Sequence, residues 1–236
     1  LNSYADVALG VRGGLNLTQY RHAQERVVVP SVAEGFWPVK TVNGFWPDAA
    51  TERRVLPGFY GSALLRVPLH RYFSLQTELG VSFQGEQHRF ENTLYKYHRT
   101  IRTIYATVPL QGVLMYRGES RWKPYVSGGP VASVLLKATD EVVIRPQDKL
   151  FSYAPNDSAV LNIRPHLMPY DIALCAAVGT DVYYGYQDIS IELRYTHGMM
   201  ATVRDGYLGR QGAYRRSGLM RNATVGLIMG LVFRTQ

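Results

Sequence analysis

The residues best placed to do chemistry in this 236-residue chain are five carboxylates, Asp6, Glu78, Asp171, Asp181 and Glu192, and four cations, Arg12, Arg66, Lys123 and Arg194. Each is set in a run where apolar residues recur at every second position, so acids and bases fall together on one face of extended segments. Their natural chemistry is mutual ion pairing. His197 could serve as a general base beside a hydroxyl and a carboxylate, but no serine and acid of matching parity stand next to it, and it reads as an interfacial histidine. The one cysteine, Cys175, sits among small residues and reads as a packing thiol. There is no HExxH, CxxC, GxSxG or GxxxxGK[ST] motif, so neither a metal nor an organic cofactor is expected.

The elements that must position these groups are clearest over residues 170–199. Ile172, Leu174, Ala176, Val178, Val182 and Tyr184 alternate with Asp171, Ala173, Cys175, Ala177, Gly179 and Asp181. After a turn at residues 185–188, Ile189, Ile191, Leu193 and Tyr195 alternate with Ser190, Glu192, Arg194 and Thr196. Period two is the signature of strands. Each arm reaches the ~9–11 residues that a tilted strand needs to cross a bilayer. The pair reads as a membrane hairpin.

Bulk properties agree with strands that cross a membrane. The hydrophobic fraction is 46%, an ordinary value, and no apolar run approaches the ~18 residues of a membrane helix. A barrel whose strands alternate lipid-facing and lumen-facing residues has average composition. Seventeen Tyr residues suit aromatic girdles at two interfaces. No signal peptide is visible, so the chain reads as a mature or trimmed form of a secreted barrel. It is expected to form a single domain over residues 1–236.

In order, strands are expected over residues 4–17, 58–69, 73–86, 103–116, 122–136, 170–184, 189–199 and 222–233. Pro109 lies within the fourth, where a bulge is plausible because proline removes a ladder hydrogen bond. Long connections are expected over residues 18–54, 87–102, 137–169 and 200–221, and short turns at residues 70–72, 118–121 and 185–188. The first long segment carries an internal echo, Gly35-Phe36-Trp37-Pro38 and Gly44-Phe45-Trp46-Pro47. Phe36, Trp37, Phe45 and Trp46 are therefore candidate partner-binding aromatics; folding back over the barrel mouth is their other reading. The formal charge of +8 collects between strands, in His88, Arg89, Lys96, His98, Arg99 and Arg102, and again in Arg204, Arg210, Arg215, Arg216 and Arg221. Of these, Arg99, Arg102, Arg210, Arg215 and Arg216 are candidate contacts to lipopolysaccharide phosphate.

Eight strands with alternating long and short connections describe an eight-stranded antiparallel transmembrane β-barrel with extracellular loops and short periplasmic turns, multi-pass in a Gram-negative outer membrane. Such an interior is only wide enough for its own side chains. The nine charges should therefore pair with one another, and a water-filled channel is not expected. A soluble lipid-binding barrel would need the opposite arrangement of faces.

Four segments resemble strands of the PorT-like outer-membrane β-barrel family: residues 105–116 (YATVPLQGVLMY), 123–130 (KPYVSGGP), 10–17 (GVRGGLNL) and 191–198 (IELRYTHG). The resemblance implies a non-enzymatic barrel associated with type IX secretion or a neighbouring outer-membrane assembly machine. The expected function is that of an accessory or scaffold subunit, with a larger β-barrel and lipoproteins as partners. Lipopolysaccharide is expected around it, and nucleic acid is not. The alternatives are a lipopolysaccharide-modifying enzyme using His197 and a surface-binding, adhesin-like barrel.

Overall fold

Alternating sequences pair edge to edge, and a sheet that is greasy on one face and polar on the other can close on itself. The computed structural model describes residues 7–21, 52–91, 95–116, 118, 120–146, 157–184, 187–200 and 221–234. Its strands are β1 (Ala8–Arg21), β2 (Glu52–Pro68), β3 (Phe73–Glu91), β4 (Tyr95–Met115), β5 (Trp122–Pro146), β6 (Asp157–Asn162), β7 (Tyr170–Tyr184), β8 (Gln187–Gly198) and β9 (Arg221–Arg234). All pairings are antiparallel. The β4–β5 ladder closes the order β4-β3-β2-β1-β9-β8-β7-β5 into an eight-stranded barrel.

The faces are inverted relative to a protein that folds in water. Leu9, Val11, Leu15, Leu79, Leu174, Val178, Leu193 and Leu227 are exposed on the outside, while Arg12, Glu78, Asp181, Glu192 and Arg194 are buried inside. Aromatics bracket the apolar band. Tyr72, Tyr116, Trp122 and Tyr184 are exposed near the short turns, and Phe59, Phe83, Tyr170 and Tyr195 toward the other end. From Tyr170 to Tyr184, a strand tilted by about 45° rises roughly 30 Å, the thickness of a bilayer core.

Three expectations are corrected. The segment over residues 87–102 is not a loop: β3 and β4 continue through it and leave residues 92–94 between them. The segment over residues 137–169 likewise holds the upper part of β5 and the strand β6, which lies along β5 in line with β7. Between β6 and β7, a single 3-10 turn (Arg164–His166) lets Ile163 and Leu167 pack on Tyr105, Leu135 and Ala138. Finally, the bulge between β4 and β5 falls at Ile104/Tyr105, not at Pro109. At Pro109 the pairing with β3 merely lapses and resumes in the same register, and the proline carbonyl accepts from the Thr77 hydroxyl at 3.1 Å.

Candidate functional site

Half-way along the lumen, inward positions of β1, β3 and β8 bring together Arg12, Glu78, Glu192 and Arg194. A buried charge is tolerated only when paired and hydrogen-bonded, and here each guanidinium meets both carboxylates. Arg12 reaches Glu78 at 3.2 Å and Glu192 at 2.9 Å; Arg194 reaches Glu78 at 2.7 Å and Glu192 at 2.6 Å. Two positive and two negative groups leave the quartet neutral. Glu78 is the hub: Gln76 donates to one oxygen at 2.8 Å, and Tyr60 and Ser62 to the other at 2.7 and 3.1 Å. Tyr125 donates to Glu192 at 2.8 Å, and Arg12 donates to Ser190 at 2.9 Å.

Toward the short-turn end, Arg66 forms an ion pair with Asp181, donates to Gln76 at 2.9 Å and lies over the Tyr125 ring, 5.2 Å from its centroid. Buried apolar groups, Ala8 with Leu64 and Val232, and Val113 with Met115 and Tyr125, fill the space around it. On the other side of the quartet lies a cavity of about 60 Å³ with Tyr60 and Arg194 among its lining, walled by Asn16, Ser82, Thr107 and Asn222. That volume suits a few waters.

The structure thus joins six of the expected lumen residues into a paired core: Arg12, Arg66, Glu78, Asp181, Glu192 and Arg194. Lys123, opposite Asp181 in the β5–β7 ladder, lies at the short-turn mouth with its ammonium 5.2 Å from the centroid of the Tyr183 ring. Asp171 lines the outer cavity. Asp6, the loop aromatics Phe36, Trp37, Phe45 and Trp46, and Arg210, Arg215 and Arg216 lie outside the described residues. Tyr125 and Gln111 were not singled out in the sequence. Both occupy inward parity within their own strands, Tyr125 two residues from Lys123 and Gln111 next to the lipid-facing Leu110, which was the available signal.

Arg99 is corrected as a lipopolysaccharide contact. It lies on the face opposite Arg102 and donates to the buried Asp140 at 2.8 and 2.9 Å. The upper part of β4 keeps alternating, so Arg99 and Arg102 diverge. His197 stacks on Tyr195 with ring centroids 6.3 Å apart, and its Nδ1 lies 3.3 Å from the tyrosine hydroxyl. Cys175 is buried, accepting from Gln111 at 3.1 Å and donating to the Gly129 carbonyl at 3.3 Å. Among the described residues no group of His, Cys, Asp and Glu could hold a metal ion.

Two glycines make room for the quartet. A Cβ at Gly179 would lie 2.5 Å from Cζ of Tyr125, and one at Gly230 would lie 2.5 Å from both Cγ of Arg12 and the Val11 carbonyl oxygen. Gly230→Ala should therefore displace Arg12 and its backbone, lowering stability by about 1–3 kcal/mol in urea titrations of the detergent-folded barrel. An unchanged midpoint would show that the lumen is looser than these distances.

A family model described as outer membrane protein beta-barrel domain matches residues 2–203. No curated protein matches the chain. Among solved structures, the outer membrane protein OprG from Pseudomonas aeruginosa is similar at 11% identity and a TM-score of 0.44, covering 99% of this chain and 98% of that one. Neisserial surface protein A is similar at 9% identity and a TM-score of 0.43, covering 97% of this chain and 99% of that one. Ail, the attachment invasion locus protein of Yersinia pestis, in complex with the heparin analogue sucrose octasulfate, is similar at 10% identity and a TM-score of 0.37, covering 97% of this chain and 99% of that one.

Proposed function

Since the chain belongs to the family of outer membrane protein β-barrel domains, we propose that it works as a non-enzymatic accessory or scaffold subunit of a multi-protein outer-membrane machine, in secretion of the type IX kind or in barrel assembly. The observation that carries this reading is the filled lumen. Arg12, Glu78, Glu192 and Arg194 have no side-chain exposure above 7% and meet across the barrel axis. With the core occupied by paired charges, function falls to the outer surface and the segments beyond the band. Exposed aliphatic rows on every wall strand offer lateral contacts to a larger barrel, and the resemblance of four strands to the PorT-like family supports the secretion role.

The test is a pull-down of the tagged protein from outer membranes in mild detergent, with mass spectrometry of what stays bound. Stoichiometric recovery of a larger barrel and lipoproteins is expected. Recovery of the protein alone would overturn the scaffold reading in favour of a surface-binding barrel. One observation favours that second reading: β3, β4, β5 and β6 rise beyond the apolar band as a paired sheet, a platform of the kind that carries binding segments. Deleting residues 35–47, with Trp37 and Trp46, would then remove binding to a surface ligand and leave membrane insertion intact.

A further inference from the structure

Among the described residues most of the charge inside the barrel is matched. The quartet is neutral, Arg66 pairs with Asp181, and Arg99 pairs with Asp140. Asp171 differs from these. It is the single acid in the lining of the outer cavity, and the single base there, Arg194, is already held by Glu78 and Glu192. The backbone N–H groups of Met200 and Ile172 donate to its carboxylate, yet its Oδ1 is buried with no hydrogen-bond partner. A carboxylate in such a place calls for a cation or a proton.

The ladders put two hydroxyls in line with it. Thr107 pairs with Ser133 across β4 and β5, and Ser133 pairs with Asp171 across β5 and β7, so the three occupy one row. All three line the cavity. Residues directly opposite on neighbouring strands lie about 5 Å apart, so oxygens of this row can converge on one guest. Thr107 is 6% exposed, and its Oγ1, like Asp171 Oδ1, has no partner. Gly198 faces the acid and leaves it uncovered, since a Cβ there would lie 3.3 Å from Asp171 Oδ2. The row therefore offers one negative charge and two neutral oxygens. No imidazole, thiol or second carboxylate lines the cavity, so a divalent or transition metal lacks its ligands. An alkali ion lacks the oxygens that would replace its hydration shell. A primary ammonium, with one positive charge and three N–H donors, is the complement of the row, and about 60 Å³ admits it with a few waters.

We propose that the outer cavity binds the head of a primary ammonium ligand, with Asp171 supplying the counter-charge and Ser133 and Thr107 accepting from its N–H groups. Because the short turns mark the periplasmic end, the ligand comes from the cell exterior, and the quartet closes the lumen beneath it. The site is independent of the scaffold reading, since it lies inside the barrel and requires no protein partner.

The test titrates the isotope-labelled, detergent-folded barrel with methylammonium chloride at about pH 8, where carboxylates are ionised. Ionic strength is held with tetramethylammonium chloride, which carries the same charge without an N–H donor. Amide shifts of Ser133, Ile172 and Gly198 in NMR spectra should saturate with methylammonium. D171N should weaken binding by at least about tenfold, because it removes one partner of a desolvated charge pair. It also removes an unpaired charge, so the fold should survive, as heat-modifiable gel migration checks. T107V keeps the shape and loses one acceptor, and should weaken binding by about fivefold. E141Q, which removes a partly exposed carboxylate outside the cavity, should stay within about twofold. Shifts that do not saturate, an unchanged affinity in D171N, or potassium bound as tightly as methylammonium would each overturn the assignment.

Discussion

Glu78→Ala should lower the stability of the folded barrel by about 3–5 kcal/mol, because it removes one member of a buried charge set and leaves the others uncompensated. Glu78 accepts from Arg12, Arg194, Gln76, Tyr60 and Ser62, and its side chain has no solvent exposure. Its loss leaves two guanidiniums, Arg12 and Arg194, to the single carboxylate of Glu192 in the buried core. Urea unfolding in detergent micelles, followed by tryptophan fluorescence, measures the effect. The E78A/R194A pair should lose less than the sum of the two single variants, since residues in one network couple. A loss under about 1 kcal/mol for E78A, or strict additivity in the pair, would mean that the four charges do not act as a unit.

One residue further along β3 the physics reverses. Leu79 is 68% exposed on the lipid-facing wall, midway between Phe73 and Phe83. An exposed leucine on a protein in water tolerates arginine, but at the centre of a bilayer the substitution costs about 2–4 kcal/mol. Leu79→Arg should show that loss when the barrel is folded into lipid vesicles. Leu17→Arg, nearer the outer interface, should cost at most about 1 kcal/mol, because a long side chain there reaches the headgroups. Equal costs at the two positions would remove the depth dependence that a membrane-embedded wall requires.

These two neighbours show how much of the molecule is local. Alternation alone assigned Glu78 and Leu79 to opposite faces, and the same reading placed Asp181, Glu192 and Arg194 inside and Val178, Leu193 and Leu227 outside, as the structure has them. Face assignment is legible because side chains on a strand alternate with period two. The ends of the strands were harder. Above the apolar band both faces become polar, so the continuation of β3 and β4 through His88, Arg89, Lys96, His98 and Arg99 looks like loop composition. The bulge between Ile104 and Tyr105 has no proline or glycine to announce it; Pro109, the residue with the obvious signal, keeps its register.

By itself, the sequence determined that the chain spans a membrane with strands, which side chains face lipid and which face the lumen, and that the interior is crowded with charge of both signs. Those properties are set by the order of neighbouring residues. Only the tertiary structure decided the partners. Arg12 meets Glu78 across 66 residues and Glu192 across 180 residues of chain, because barrel closure and stagger bring β1, β3 and β8 to a common level. It likewise decided that Tyr125 joins the core, that Arg99 turns to Asp140 and that Arg102 turns outward. A strand pattern carries direction but no depth, and depth in a barrel comes from the registers of all its ladders at once.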